Sequence, residues 1–214
     1  MEIDPETMPW ESIYKIMIGS IVPRPIAWVS TVNENGQPNL APFSFFNAVC
    51  ANPPHIVFSP TVRATDGQPK DTLRNLRRTG EFVVNIVTEA LAEAMNLTST
   101  ELPEEVDEFE YAGLEMAPSV AVRPPRVKLS PVNFECRVVQ ILDLGDEPGS
   151  GSLVVGRVVH LHVSDTVLLG TDKIDLMRLQ PVGRLAGNSY CRVKDVFELI
   201  RPPSQIPRSQ RSGG

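Results

Sequence analysis

Cysteine is scarce in this chain: Cys50, Cys136 and Cys191 are the only three among 214 residues, widely spaced and without a C-x-x-C pair. That excludes a disulfide framework and a cysteine-rich zinc site, and it fits a reducing compartment. Positive charge is also short. Twenty basic residues against 26 acidic ones leave a net charge of −6, so no broad positive field competes for nucleic-acid phosphates or anionic lipid. No apolar run approaches the ~18 residues of a membrane span. Met1–Trp10 carries Glu2, Asp4 and Glu6, with neither the basic start nor the apolar stretch of a secretory signal. The expectation is a soluble, cytoplasmic protein without nucleic-acid or membrane partners. Neither G-x-x-x-x-G-K-[ST] nor a strand-borne G-x-G-x-x-G is present, which leaves nucleotide folds built on those loops unsupported. Histidine is nearly absent. His160 and His162 stand two apart on one strand face, but with His55 distant they lack a third zinc or iron ligand, and no metal is expected.

The remaining composition is that of a globular chain, 42% hydrophobic and 21% charged. At about 150 residues per domain the length fits one domain. That domain is expected over 1–200, with a Pro/Ser/Arg-rich tail over 201–214 that is mobile unless a partner holds it. Apolar spacing predicts a helix over Ser12–Ile21, ended by Pro23-Arg24-Pro25, and a strand over Ile26–Val32. A hairpin turn at Asn35-Gly36 leads into an apolar stretch from Leu40 to Val49. Beyond Asn52-Pro53-Pro54 come a short strand over His55–Ser59, a loop over Thr61–Pro69 and a helix over Lys70–Arg78 with Asp71 as its cap. Then follow a strand over Phe82–Val87 and a helix over Glu89–Leu97, after which Thr98 and Glu101 have capping-box spacing. Six acids between Glu101 and Glu110 read as a solvated surface element or lid.

The second half predicts long strands over Val127–Leu144 and Leu153–Val163, a helix over Asp172–Leu179 and a last strand over Tyr190–Leu199. In the second long strand Leu153, Val155, Val159, Leu161 and Val163 make an apolar face, with Val154, Val158, His160 and His162 on the other. Few helices and no β-α alternation favour a mainly β fold, a barrel or a sandwich.

Two segments carry chemistry. The helix start at Lys70-Asp71-Thr72 combines a cation, a hydroxyl and free backbone N–H groups, and Arg63 lies in the loop just before it. Such a cluster suits a phosphate, and it also reads as a plain helix start beside two solvated cations. Ala41-Pro42-Phe43-Ser44-Phe45-Phe46-Asn47 combines three Phe with Ser and Asn, a surface for a flat aromatic ligand or a plain core strand. Cys50 close by reads as a small buried hydrophobe.

Taken in order, Arg24-Pro25-Ile26-Ala27-Trp28-Val29-Ser30-Thr31, Asn39 to Asn47, Asn52-Pro53-Pro54, Lys70-Asp71-Thr72 with Asn75, and Gly80 to Asn85 resemble the flavin reductase-like family of FMN-binding split barrels. Gly156-Arg157-Val158-Val159, Gly183 to Gly187 and Tyr190 extend the resemblance to about residues 20 to 200. It implies a homodimeric split β-barrel that binds FMN near the subunit interface. Trp28, Ser30, Thr31 and Val32, together with Ser44, Phe45, Phe46 and Asn47, would line the ring, largely through backbone groups. Arg63, Lys70, Asp71 and Thr72 would hold the phosphate end, and Ser59 would add a hydroxyl. The implied reaction is hydride transfer from NADH or NADPH to the flavin, with an oxygenase or other protein as electron acceptor. The flavin performs the redox step, so no catalytic side chain is named. One alternative is an FMN-binding electron carrier without its own nicotinamide site. Another is a flavin-free metal-binding barrel using His160 and His162, whose ligand set is incomplete.

Overall fold

The computed structural model describes residues 1–206. The expected tail therefore lies outside the described residues from 207 onward. A helix, α1 (Trp10–Ser20), leads into β1 (Ala27–Val32), β2 (Pro38–Phe43), β3 (Phe46–Ala51) and β4 (Pro54–Phe58). Next come α2 (Asp71–Thr79), β5 (Glu81–Ile86), α3 (Ala92–Leu97) and α4 (Glu108–Tyr111). The two-residue strands β6 (Met116–Ala117) and β7 (Arg126–Val127) precede the long pair β8 (Val132–Asp143) and β9 (Ser152–Val163). A small ladder of β10 (Leu168–Leu169) with β11 (Lys173–Ile174), then α5 (Leu176–Leu179), β12 (Val182–Arg184) and β13 (Tyr190–Arg192) complete the chain.

Seven strands form one sheet in the order β2-β1-β5-β8-β9-β4-β3, antiparallel throughout. The sheet curls on itself. Phe43 on the outermost strand β2 meets Phe58 on β4, near the opposite edge, with ring centroids 5.3 Å apart. Phe58 meets Phe82 of β5 at 5.3 Å as well, so the three rings fill the interior of a barrel. Gly156 of β9 faces this stack, where a Cβ would lie 2.3 Å from Phe82 Cζ. A second core, built on Trp28, Leu40, Leu91, Met95 and Phe109, lies on the other side of β1.

Several boundaries differ from the sequence reading, each for a local reason. The apolar stretch Leu40–Val49 bends at Ser44-Phe45 into two strands. Pro131, without an N–H to donate, separates β7 from β8. Asp71 is not a cap: the cap position is Lys70, and Asp71 is the first helical residue. Thr98 closes α3 rather than opening a capping box, its hydroxyl donating to Met95 O at 2.8 Å. The acidic run is not wholly solvated, because Glu108 and Phe109 are buried on α4. Helix α5 is confined to 176–179, where Asp175 accepts from the N–H groups of Met177 and Arg178. In β9 the face bearing Val154, Val158 and the histidines is the core face, while Val159 and Leu161 of the all-apolar face are 36% and 52% exposed. The last strand stops at Arg192, and Val196, Phe197, Leu199 and Ile200 beyond it stand 60–95% exposed.

Candidate functional site

The largest groove near the chemistry-bearing segments, about 550 Å3, runs between α1 and the loop that precedes α2. Trp10, Tyr14 and Ile18 of α1 form one wall, Phe45 and Arg63 with Lys70 another, and Ala186-Gly187 close an end. Arg24 builds this groove from below. It is 5% exposed, and its guanidinium donates to Ser44 Oγ (3.2 Å), Ile18 O (2.8 Å), Ile21 O (2.8 Å) and Leu185 O (3.0 Å). One planar fork thereby fixes α1, the Ser44-Phe45 bend and the turn after β12 together. Ser59 supports the same bend through its N–H, which donates to Phe45 O at 2.9 Å.

The electrostatics of the groove turn on Lys70. Its neighbouring acids are engaged elsewhere: Asp66 with Arg63 at 2.9 Å, Asp71 with Arg74, Glu104 with Arg74 at 3.0 Å, and Glu101 with the Thr65 hydroxyl at 2.7 Å. Among the described residues Lys70 makes no ion pair. Its ammonium lies 5.6 Å from the centre of the Phe43 ring, and burial pulls its pKa below the usual lysine value against the partial support of Glu101. An unpaired, desolvated cation beside the free N–H groups of a helix start is a place for an anion. Arg63 contributes less than its charge suggests, since Asp66 chelates it and Asp71 lies 3.6 Å away. A narrow recess of about 40 Å3 joins Arg63, Lys70, Asp71 and Thr72 to the Thr98–Leu102 turn.

The structure does not bring every expected site residue to this groove. Trp28, Ser30, Thr31 and Val32 lie on a central strand paired on both sides and are 0–4% exposed. Trp28 Nε1 donates to Thr98 Oγ1 at 2.9 Å, Ser30 Oγ to Pro125 O at 2.5 Å, and Thr31 Oγ1 accepts from Asn75 Nδ2 at 3.0 Å. Their side chains are spent inside the fold. Phe46 packs against the barrel core, and Asn47 is exposed with its Oδ1 accepting from Ala48 N. Thr72 borders the recess, yet its hydroxyl is buried and donates to Asn39 Oδ1 at 2.8 Å. Phe45, Arg63 and Lys70 line the groove, Asp71 lines the adjoining recess, and Ser44 and Ser59 support the bend behind Phe45.

Sequence reasoning missed the polar lattice that holds α2 and α4 on β2. Glu108, 8% exposed, accepts from Asn39 Nδ2 at 2.8 Å and from Leu40 N at 3.1 Å, and burial pushes its pKa up. An aromatic residue, Phe109, among the six acids between Glu101 and Glu110 was the signal that this stretch packs. Tyr190, stacked 4.4 Å under the Arg184 guanidinium, faces a separate cavity of about 490 Å3 beside α3.

A groove with aromatic walls, lined by Lys15 and Lys70, neither of which makes an ion pair among the described residues, matches an elongated aromatic anion, and the comparisons with known proteins say which kind of fold carries it. The family model for the flavin reductase like domain matches residues 18–173. The chain belongs to the flavin reductase-like family. Nitrilotriacetate monooxygenase component B from Bacillus cereus is 39% identical, with a TM-score of 0.87 over 93% of this chain and 98% of that one. The 2-nitrobenzoate 2-nitroreductase of Pseudomonas fluorescens is 31% identical, with a TM-score of 0.83 over 96% of this chain and 100% of that one. A flavin reductase with a split barrel domain from Shewanella frigidimarina, 21% identical, shares the fold at a TM-score of 0.80 over 94% of this chain and 100% of its own. The curled seven-stranded sheet of this family member is thus a split barrel. No helix among its described residues is long and apolar enough to cross a membrane.

Proposed function

We propose that this flavin reductase-like protein binds FMN in the Lys70 groove and transfers hydride to it from NADH or NADPH. The observation that carries the proposal is the partly buried Lys70 ammonium, without an ion pair among the described residues, set at a helix start and beside an aromatic-walled groove. A desolvated cation costs free energy unless an anion answers it, and a phosphate ester does so. Lys70, the α2 N–H groups and the outer edge of Arg63 hold the phosphate. Ser44, Phe45 and the α1 wall border the space for the ring. When bound, the flavin supplies the redox chemistry, and the protein supplies position, charge and exclusion of water.

The working unit proposed is a cytoplasmic homodimer that hands electrons to an oxygenase or another acceptor protein. Support for the dimer comes from exposed apolar side chains on three strands of the sheet, Val49 of β3, Val139 of β8 and Leu161 of β9, which are 52–58% exposed. Support for the oxygenase comes from the relative that is one component of a nitrilotriacetate monooxygenase. Steady-state oxidation of NADH or NADPH with FMN and no second protein tests the proposal. Turnover under those conditions is expected. Turnover only after adding an acceptor or reductase protein would make the chain an electron carrier instead.

A further inference from the structure

Residues two apart on a strand share a face, so His160 and His162 project together from β9. Near this end of the strand the core thins, and the His162 side chain is 20% exposed. The two rings meet edge to face, with centroids 4.8 Å apart. Across the ladder Glu135 of β8 stands in register with His160, and its carboxylate reaches the other histidine, Oε1 to His162 Nε2 at 2.5 Å. One donor atom from each of the three residues lies within 4.8 Å of the other two.

The carboxylate is fully buried and anchored. Val120 N donates to Oε1 at 2.8 Å, and Ala121 N and Val122 N donate to Oε2 at 2.5 and 3.2 Å. A carboxylate accepts about four hydrogen bonds, so backbone groups take three and His162 holds the only exchangeable position. Burial alone would push the Glu135 carboxyl up, but the bonds from His162, Val120 and Ala121 outweigh it and hold the group below its usual value. Expecting no metal here rested on a missing third ligand, and the neighbouring strand provides one that an unaligned sequence does not reveal.

We propose that Glu135, His160 and His162 form a binding site for a divalent metal ion of the zinc, cobalt and iron(II) class. Two imidazoles and one carboxylate are the protein donors of open zinc sites and of non-haem iron sites. The metal replaces the hydrogen bond between Glu135 and His162. With metal–ligand bonds of about 2.0–2.2 Å in a tetrahedral arrangement, two donor atoms stand roughly 3.4 Å apart. The Glu135–His162 contact therefore opens by about 1 Å. The partly exposed His162 supplies that movement while Glu135 stays on its three N–H donors, and His160 closes the set. Solvent completes the coordination sphere. None of the three residues lines the Lys70 groove, so the site is separate from the proposed flavin site.

The test is titration of the chelator-treated, dialysed full-length protein with Co2+, read by its visible ligand-field absorption, followed by competition with Zn2+. Stoichiometric binding with a tetrahedral or five-coordinate spectrum, displaced by Zn2+, is expected. His160→Ala should weaken it by about tenfold or more, as loss of even an outer-shell partner does. His160→Ala is the deciding variant, because it leaves the Glu135–His162 bond and the loop anchored on Glu135 intact. His55→Ala, which removes the remaining histidine, should leave binding unchanged. Absence of the ligand-field bands, or affinity indifferent to His160→Ala, overturns the proposal.

Discussion

Lys70→Met removes the ammonium but keeps an apolar stem over the Phe43 ring, which separates charge from packing. The loss in FMN affinity follows from the setting. A hydrogen bond between charged partners contributes about 1.5–3 kcal/mol. A Coulomb figure of roughly 4 kcal/mol for unit charges 4 Å apart at an effective dielectric of 20 is an upper bound in a groove open to water. At 1.4 kcal/mol per tenfold, the weakening of FMN binding is about 10- to 150-fold. Riboflavin has no phosphate, so its affinity should change by less than about twofold. Quenching of flavin fluorescence in parallel titrations at one ionic strength measures both. Lys70 makes no ion pair among the described residues and is penalised by burial, so the variant's thermal midpoint without ligand should hold or rise. Equal losses for FMN and riboflavin, or no loss for FMN, would refute the reasoning. Thr72 is kept intact in this experiment because its hydroxyl bonds Asn39 inside the fold.

The same lysine makes binding pH-dependent: its pKa is lowered, so FMN affinity should fall as pH rises through that displaced value, earlier than for an exposed lysine. Lys70→Arg should flatten the fall, and FMN titrations from neutral to alkaline pH check it. Gly156→Ala drives a methyl group into the Phe82 ring, and overpacking of this kind costs about 1–3 kcal/mol, visible in urea unfolding midpoints. Trp28→Phe leaves the Thr98 hydroxyl without its donor and should destabilise the fold by about 1–3 kcal/mol. Its folded fraction should bind FMN as the parent does, and a large loss of affinity would return Trp28 to the flavin site.

What the sequence made legible was local. Asn35-Gly36 marked the first hairpin and Gly80 the end of α2, where its positive φ of 67° closes the helix. The cation at the start of α2 was readable for the same reason. Pairing across the sheet was not. Trp28, Ser30, Thr31 and Val32 resemble flavin-lining positions that act largely through backbone groups, and β1, lying between β2 and β5, buries all four side chains. Glu108 hid in a run of acids, and only its long-range bonds to Asn39 and Leu40 show that it is structural. Glu135 was invisible for a related reason: its partners Val120 to Val122 and His162 are brought together by strand register and a bulge after Glu135. Tyr190–Leu199 looked like a strand because Tyr190, Cys191, Val193, Val196, Phe197 and Leu199 supply apolar side chains, but among the described residues no strand pairs with it beyond Arg192.

The central claim, a flavin reductase that holds FMN in the Lys70 groove, is tested most directly by one spectral titration. The purified protein is mixed with FMN, dialysed to remove weakly held ligand, and then given NADH or NADPH under anaerobic conditions. The account predicts a perturbed flavin band that survives dialysis at saturating protein and bleaches on adding the nicotinamide alone. A bound band that stays oxidised with both nicotinamides would contradict the reductase reading, and no bound band at all would contradict the flavin site itself.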